Sequence, residues 1–405
     1  MNPTRDDLLN WIRLFEAHGQ NRDWIGPDPY EGMNATRFVG PLQKSVTGRR
    51  VIAQAVKRSP LNLRPILGIE PVRISSTMAF AIATYVRGTF LPEDERERKL
   101  QGAIEMLKEL RSPGYEDWCW GYQFPTQSRV FFYDRWAPNI VSTAFATMAI
   151  MDAYEQTGDE SLLEIAASAA RFVLDHVPQT EDAPGAYFGY LVGDRSPIHN
   201  SSLHACTILA RVGAEIGEPA WLDRAAEGVK WTLSRQRRDG SWPYGERANL
   251  NWVDNFHTGY VLDSLRILWD AGIPGIEEPW HRGLEYWRRE LFLADGTPKY
   301  YSNNIYPIDG QCVSQAIQTL AIASRDVPSC LDDAWRVMGW ALQSFRRPDG
   351  LLYFQRRRNW TNKVPHLRWV QTPMLLALTH LLVADDAHRH ADDRSGDGNR
   401  TAVAG

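Results

Sequence analysis

The stretch NIVSTAFATMAIMDAYEQTGD, residues 139–159, followed by SLLEIAASAARFVLDHV, residues 161–177, decides the fold. The first segment is apolar or small nearly all round, which is typical of a helix that is covered on every side. The second segment carries its charged residues on one side, which is typical of a helix with one face in water. The stretch therefore predicts a helical hairpin that consists of one inner and one outer helix.

The same two-helix unit recurs along the chain at a spacing of roughly 55–60 residues. Predicted units begin near Ile74, Asn139, Asn200, Asp254 and Asp309, and a sixth opens with a helix from about Arg368 to Val383. An N-terminal helix, at 4–17 or 48–58, is expected to supply the outer partner of the sixth unit. Apolar inner helices surrounded by amphipathic outer helices can close into a ring. The sequence therefore predicts an all-α fold, an α/α toroid of about six helical hairpins, over residues 1–384.

The loops that follow the outer helices also repeat. They read RQRRDGSWPYGE at 235–246, LADGTPKYY at 293–301 and RRPDGLLYFQ at 346–355. An Asp-Gly pair flanked by aromatic and β-prone residues is a hairpin signal. Each connecting loop is therefore predicted to carry a short β-turn.

Composition excludes several classes of protein. The net charge of -4 is not that of a nucleic-acid binder, which would carry a basic stripe. The four cysteines form no C-x-x-C pair and no cluster with zinc spacing, so neither disulfides nor a metal site is predicted. No phosphate-binding loop, dinucleotide fingerprint or G-x-S-x-G motif occurs, so no cofactor is predicted.

The chain ends predict a cytoplasmic protein with a disordered tail. The N-terminal stretch lacks the apolar core of a signal peptide, and no apolar run is long enough to span a bilayer. Residues 385–405 are polar and lose the helical periodicity, so we expect them to be disordered.

The inner helices of such a ring run parallel, so their N-termini meet at one end and favour an anionic group there. The densest set of polar residues is WVDNFHTGY, at 252–260. His257 is a candidate general acid or base, and Asp254 either orients it or acts as an acid itself. Asp254 as a simple helix cap is the structural alternative. The remaining candidates for proton transfer are Glu246, Tyr260 and Asp309.

Saccharide binding is predicted from aromatic side chains, which stack on sugar rings, and from polar or basic ones near the helix starts. The chain holds 16 Trp, 15 Tyr and 14 Phe, and many of them lie in loops. The predicted binding residues are Trp120, Tyr122, Arg129, Arg135, Asn139, Asn200, Trp252, Asn255, Tyr301, Gln311 and Arg368.

Several segments together resemble one bacterial family. They are WIGPDPYEGMNA at 24–35, VKRSPLNLRPILGI at 56–69, CWGYQFPTQSR at 119–129 and PKYYSNNIYPIDGQ at 298–311, together with DGSWPYGE and WVDNFHTGY. The family is the VpsJ-like group of exopolysaccharide and capsule gene clusters. Some of its members bear the name delta-aminolevulinic acid dehydratase, although that enzyme is a β/α barrel and this chain lacks the alternating strand pattern. The resemblance implies a six-hairpin glycosidase-like toroid and a polysaccharide context.

Three hypotheses about function follow. The first is a carbohydrate-active enzyme that acts on an anionic polysaccharide or glycoconjugate by hydrolysis, elimination or epimerisation. Hydrolysis would use two carboxylates, Asp254 with Asp309, Glu246 or Asp134. The second hypothesis is a non-catalytic glycan-binding or scaffold protein. The third is a terpenoid cyclase, suggested by QRRDGSW at 236–242, although the acidic D-x-D-D motif is absent from the sequence.

Overall fold

A computed structural model describes residues 3–401, and describes side chains as far as Ala391. The structure is mainly helical. Its helices are α1 (Arg5–Gln20), α2 (Gly40–Gln43), α3 (Val46–Arg58), α4 (Arg64–Leu67), α5 (Ser75–Val86), α6 (Glu93–Glu109), α7 (Ile140–Thr157), α8 (Glu160–His176), α9 (His199–Ile216), α10 (Pro219–Ser234), α11 (Asn255–Asp270), α12 (Glu277–Glu290), α13 (Gly310–Ala323), α14 (Ser329–Ser344) and α15 (Thr372–Thr401). Short 3₁₀ turns occupy Glu31–Asn34 and Ala248–Leu250, and a π-helical turn at Leu367–Gln371 leads into α15.

Six inner helices form a closed ring. Each of α5, α7, α9, α11 and α13 packs on the next inner helix along the chain, and α15 packs back on α5. The outer partners are α6, α8, α10, α12 and α14, and α1 covers α15. The predicted toroid of six hairpins is therefore confirmed, with the first of the two proposed N-terminal helices as the sixth outer partner.

The two helix types differ in burial as their composition requires. In α7, Ala144, Ala146 and Ile150 are at most 1% exposed, because neighbouring helices cover them on several sides. Small residues allow this close approach without leaving voids. One hydrophobic cluster extends from Leu8 in α1 to Leu382 in α15 and forms the core of the ring.

The strands are short and lie in the connecting loops. They are β1 (Ile25–Gly26), β2 (Val72–Arg73), β3 (Thr126–Gln127), β4 (Phe132–Tyr133), β5 (Gln179–Glu181), β6 (Ala186–Phe188), β7 (Ile308–Asp309), β8 (Gln355–Arg356) and β9 (Thr361–Asn362). All pairings between them are antiparallel: β1 with β2, β3 with β4, β5 with β6, and β8 with both β7 and β9.

The three Asp-Gly loops form tight turns, as predicted. Gly240, Gly296 and Gly350 have φ of 95°, 91° and 89°, a left-handed region that glycine adopts without steric cost. Each glycine N–H donates to the carbonyl three residues earlier, which closes the turn.

Residues 21–74 lie outside the six hairpins and form an accessory segment. A small apolar cluster holds the segment together; it contains Ala35, Val39, Ile52, Val56 and Ile69. The pairing of β1 with β2 brings the two ends of the segment together. This arrangement fixes α3, the longest helix of the segment, beside the ring.

The predicted boundary of the tail, at residue 385, falls inside helix α15. Helix α15 continues to Thr401, so residues 385–401 are helical, and 402–405 lie outside the described residues. Asp385 is buried, and it accepts hydrogen bonds from Arg5 at 3.1 Å and from Arg389, one turn later, at 2.7 Å. These contacts join the first residue of the predicted tail to α1 and to the next turn of α15.

Within the described residues, one helical stretch is long and apolar enough to cross a membrane, Leu367–Ala391. Its most apolar window is 83% buried inside the protein, because α15 is an inner helix of the ring.

Candidate functional site

A cavity of about 820 Å³ opens at the end of the ring where the inner helices begin. Each of the six inner helices contributes to its wall near its start, through Ser76, Ser142, Asn200, His257, Gln311 and the turn residue Arg368. This confirms that the helix N-termini gather at one end. The exposed N–H groups of such termini favour negative charge in the cavity.

Asp254 and His257 form a hydrogen-bonded pair in the cavity wall. Asp254 caps α11, because its Oδ1 accepts from the backbone N–H of His257 at 3.0 Å. Its Oδ2 lies 2.7 Å from Nδ1 of His257 and also accepts from Nε1 of Trp252 at 2.8 Å. Because a carboxylate only accepts, Nδ1 carries a proton, and neutral His257 presents a bare Nε2. The cap and the proton-transfer hypotheses for Asp254 are therefore compatible.

Aromatic rings cover one side of this pair. Tyr244 and Trp252 stack with ring centroids 4.6 Å apart and planes inclined by 12°. The ring of His257 lies 4.4 Å from Tyr244. The guanidinium of Arg129 lies over the ring of Trp252, 4.2 Å from its centroid. Together these residues place aromatic rings beside a cation, an arrangement suited to an anionic sugar ring.

Tyr260 and Asn200 lie deeper in the cavity. The hydroxyl of Tyr260 accepts a hydrogen bond from Nε2 of Gln311 at 2.8 Å, and burial raises the pKa of this phenol. Oδ1 of Asn200 is buried and has no hydrogen-bond partner within the described part of the chain. An unpaired buried acceptor is costly, so Asn200 is available to a hydroxyl group of a ligand.

Arg368 lines the cavity, but its charge is already paired. Its Nε and Nη2 donate to the two carboxylate oxygens of Asp28, at 2.5 and 2.9 Å, in a bidentate ion pair. Both side chains are at least 93% shielded from solvent. Arg368 therefore has a structural role in this ion pair, and its predicted role in substrate binding stays a prediction, since its Nη1 lies 3.5 Å from the hydroxyl of Tyr122 in the cavity lining.

Three predicted binding residues do not line the cavity. Trp120 is fully buried and donates through Nε1 to the carbonyl of Leu107. Asn139 caps α7 through Ser142, and the amide of Asn255 donates to the carbonyl of Leu291. Each of the three side chains serves the packing of a helix instead of the cavity.

Three further candidates also lie away from the cavity lining. Arg135 is exposed and donates to Oδ1 of Asn34 at 2.7 Å. Glu246 accepts from Nε2 of the buried His199, at 2.8 Å, and this bond lowers the pKa of the Glu246 carboxyl. Asp309 is 1% exposed and caps α13, and burial raises its pKa.

The other predicted site residues line the cavity. The binding candidates are Tyr122, Arg129, Asn200, Trp252, Tyr301 and Gln311, and the proton-transfer candidates are Asp254, His257 and Tyr260. Residues that sequence analysis did not select also line the cavity, among them Tyr30, Lys57, Arg357 and Trp369. Tyr30 and Lys57 come from the accessory segment, whose place beside the ring is not evident from the repeat. The resemblance of the segments 24–35 and 56–69 to one family was the available signal.

In the part of the chain that the structure describes, no group of three or more His, Cys, Asp or Glu side chains could hold a metal ion.

His204 makes protein stability sensitive to acid. It is buried, its Nε2 lacks a partner among the described residues, and burial lowers its pKa from 6.5 to about 3. Between these values the unfolded chain takes up a proton that the folded protein excludes, so stability falls as pH falls. We expect the free energy of unfolding to lose about 2 kcal/mol through His204 between about pH 7.5 and 5. Urea unfolding of the wild type and of His204→Leu measures this; equal losses in both proteins would refute the prediction.

The fold is shared with several solved structures. A cellobiose 2-epimerase from Bacillus thermoamylovorans aligns with a TM-score of 0.59 at 11% identity, over 79% of this chain and 90% of that one. A GH76 α-mannanase from Bacteroides thetaiotaomicron aligns with a TM-score of 0.60 at 15% identity, over 78% and 88%. A heparin-specific unsaturated glucuronyl hydrolase aligns with a TM-score of 0.60 at 12% identity, over 95% and 99%.

The chain therefore has the toroid fold of these glycosidase-like proteins. Identities this low establish the fold and leave the chemistry to the site itself. No protein-family model matches the chain, and no curated protein matches it.

Proposed function

We propose that this protein is an enzyme that transfers protons on an anionic saccharide, with His257 as the base and Asp254 as its orienting partner. The observation that carries this proposal is the Asp254–His257 pair, 2.7 Å apart, in the wall of a large cavity lined by aromatic rings and cations. Proteins with this fold include an epimerase, a mannanase and a glucuronyl hydrolase, which supports a saccharide as the substrate.

The charge of the cavity favours an anionic substrate. Six cations contribute to its lining: Arg50, Lys57, Arg58, Arg129, Arg357 and Arg368. Asp254 is the only carboxylate among the described residues that line it. With Arg368 neutralised by Asp28, an excess of positive charge remains, and it would attract a carboxylate or phosphate on a sugar.

The presence of a single carboxylate in the described lining of the cavity favours elimination or epimerisation over hydrolysis. Glycoside hydrolysis generally uses two carboxylates that flank the scissile bond. The partners suggested for Asp254 were Asp309, Glu246 and Asp134, and none of them lines the cavity. A base that removes the proton next to a uronate carboxylate needs only cations to stabilise the developing negative charge.

In this mechanism Nε2 of His257 removes the proton from the carbon next to the carboxylate. The electron pair moves onto the carboxylate, where Arg129 stabilises the charge. Loss of the neighbouring glycosidic oxygen, which takes up a proton as it leaves, completes an elimination, and return of a proton to the opposite face completes an epimerisation. The hydroxyl of Tyr260 lies in the same cavity and can donate that proton.

A terpenoid cyclase is a poor match, because such an enzyme requires an apolar pocket, whereas six cations contribute to the lining of this cavity. A non-catalytic glycan-binding protein would use the same aromatic wall but would not depend on His257.

The cellular setting that we propose is polysaccharide biosynthesis in the cytoplasm, as the VpsJ-like family resemblance implies.

The first test is a binding comparison between trigalacturonate and the neutral maltotriose. We expect at least a tenfold preference for trigalacturonate, since a hydrogen bond to a charged group contributes about 1.5–3 kcal/mol. Arg129→Gln should reduce this preference, and Trp252→Ala should weaken the binding of both ligands. Arg238→Gln, at an exposed position outside the cavity, is the matched charge control. Equal or tighter binding of maltotriose would contradict the proposal.

The reaction is then identified from its products. Elimination yields an unsaturated uronate, detected by its ultraviolet absorbance. Epimerisation in heavy water places deuterium on the carbon next to the carboxylate. New reducing ends without either signal would indicate hydrolysis and would overturn the proposed chemistry.

A further inference from the structure

One face of α3 lines the cavity, although α3 belongs to none of the six hairpins. The residues that this face contributes are Arg50, Ala53, Gln54, Lys57 and Arg58. Their spacing of three, four, seven and eight residues from Arg50 is that of a single helical stripe. Two arginines and a lysine on this stripe give the accessory segment a cationic surface toward the cavity.

Arg357 joins this surface from the loop between β8 and β9. The amide of Asn362, in β9, donates to the carbonyls of Lys57 and Ser59, at 3.1 and 3.0 Å, and so holds the loop against the end of α3. Burial, and then the charge of Arg58, lower the pKa of Arg357. The loop thereby places Arg357 in the wall of the same cavity as Arg58.

The protein itself does not neutralise these arginines. Among the described residues, Arg50, Arg58 and Arg357 form no ion pair with a carboxylate, and the buried Nε of Arg357 has no hydrogen-bond partner. Asp309 is the carboxylate that acts on Arg357 from a distance. Its oxygens already accept from Gln311, Gln355 and Trp369.

We infer that Arg50, Lys57, Arg58 and Arg357 form a second anion-binding subsite, which holds another negative group of the same glycan. This inference rests on the proposed function, in which Arg129 holds the anionic group of the reacting sugar. Unpaired arginines around a cavity match carboxylate or phosphate oxygens, which accept two parallel hydrogen bonds from a guanidinium. The substrate class is thereby narrowed to a glycan with at least two negative groups, either uronates or phosphates.

The test compares galacturonate, trigalacturonate and inorganic pyrophosphate as ligands of the wild type and of Arg58→Gln/Arg357→Gln. We expect the double variant to bind trigalacturonate at least tenfold more weakly and galacturonate with little change. Inorganic pyrophosphate tests whether the second negative group is a phosphate. If it is, the wild type should bind pyrophosphate and the double variant should not. Arg58→Gln alone serves if the double variant melts early, and Arg238→Gln is its matched charge control.

The outcomes separate this inference from the proposed function. If the double variant binds trigalacturonate and pyrophosphate as tightly as the wild type does, the inference of a second subsite is wrong, but the proposed function is unaffected. If the wild type binds pyrophosphate through these arginines but no uronate, the uronate substrate is wrong and the subsite stands. If the wild type binds none of the three ligands, both are wrong.

Discussion

His257→Ala and Asp254→Asn are each expected to reduce turnover of the anionic oligosaccharide by roughly a hundredfold or more, while the protein stays folded. His257→Ala removes the base. Asp254→Asn keeps an acceptor for the backbone N–H of His257, so the cap of α11 survives, although the amide NH2 can no longer accept from Trp252. It removes the negative charge that fixes the proton on Nδ1 and stabilises the protonated ring. The measurement is initial rate at saturating substrate, beside thermal melting.

Asp159→Asn is the matched control, since Asp159 also caps a helix through its side chain but lies at the start of the outer helix α8. It should retain full turnover. Full activity in His257→Ala or in Asp254→Asn would remove that residue from the mechanism. A large drop in melting temperature for Asp254→Asn would indicate that its role is structural.

The ring could be predicted because its signals are local and repeated. The change from apolar inner helices to amphipathic outer helices reports burial directly, and the cap residues Asn139, Asp254 and Asp309 mark where inner helices begin. The continuation of α15 past residue 385 could not be predicted, because its residues carry no apolar periodicity and the contact of Asp385 with Arg5 joins positions 380 residues apart.

The site was predicted less completely, for a physical reason. Irregular loops carry no periodicity, so nothing local distinguishes Trp120, whose indole is in the core, from Tyr122, which reaches the cavity. The end at which the inner helices begin could be inferred, and His257, Asn200 and Gln311 were found through it. The positions of Tyr30 and Lys57, which belong to the accessory segment, depend on contacts between residues far apart in the sequence, such as Lys57 with Asn362 and Asp28 with Arg368.

One such long-range contact is the buried ion pair between Asp28 and Arg368, and it makes the stability of the ring depend on Asp28. Asp28 is 0% exposed and lies 340 residues from its partner Arg368 in the sequence. Asp28→Ala leaves the Arg368 guanidinium buried and unpaired, so we expect it to lower the free energy of unfolding by about 3–5 kcal/mol. Urea unfolding monitored by tryptophan fluorescence measures the change.

The double variant Asp28→Ala/Arg368→Met distinguishes the ion pair from the loss of packing. Replacing both partners removes the unpaired charge, so much of the lost stability should return, although the aspartate also accepts from the backbone N–H of Tyr30. A loss below about 1 kcal/mol in Asp28→Ala would show that water reaches Arg368 and that the pair is not a structural requirement. A double variant no more stable than Asp28→Ala would assign the effect to the turn at Tyr30. If the double variant regains the full free energy of unfolding of the wild type, the unpaired charge of Arg368 accounts for the whole loss in Asp28→Ala. Packing and the remaining hydrogen bonds would then hold the accessory segment to the ring.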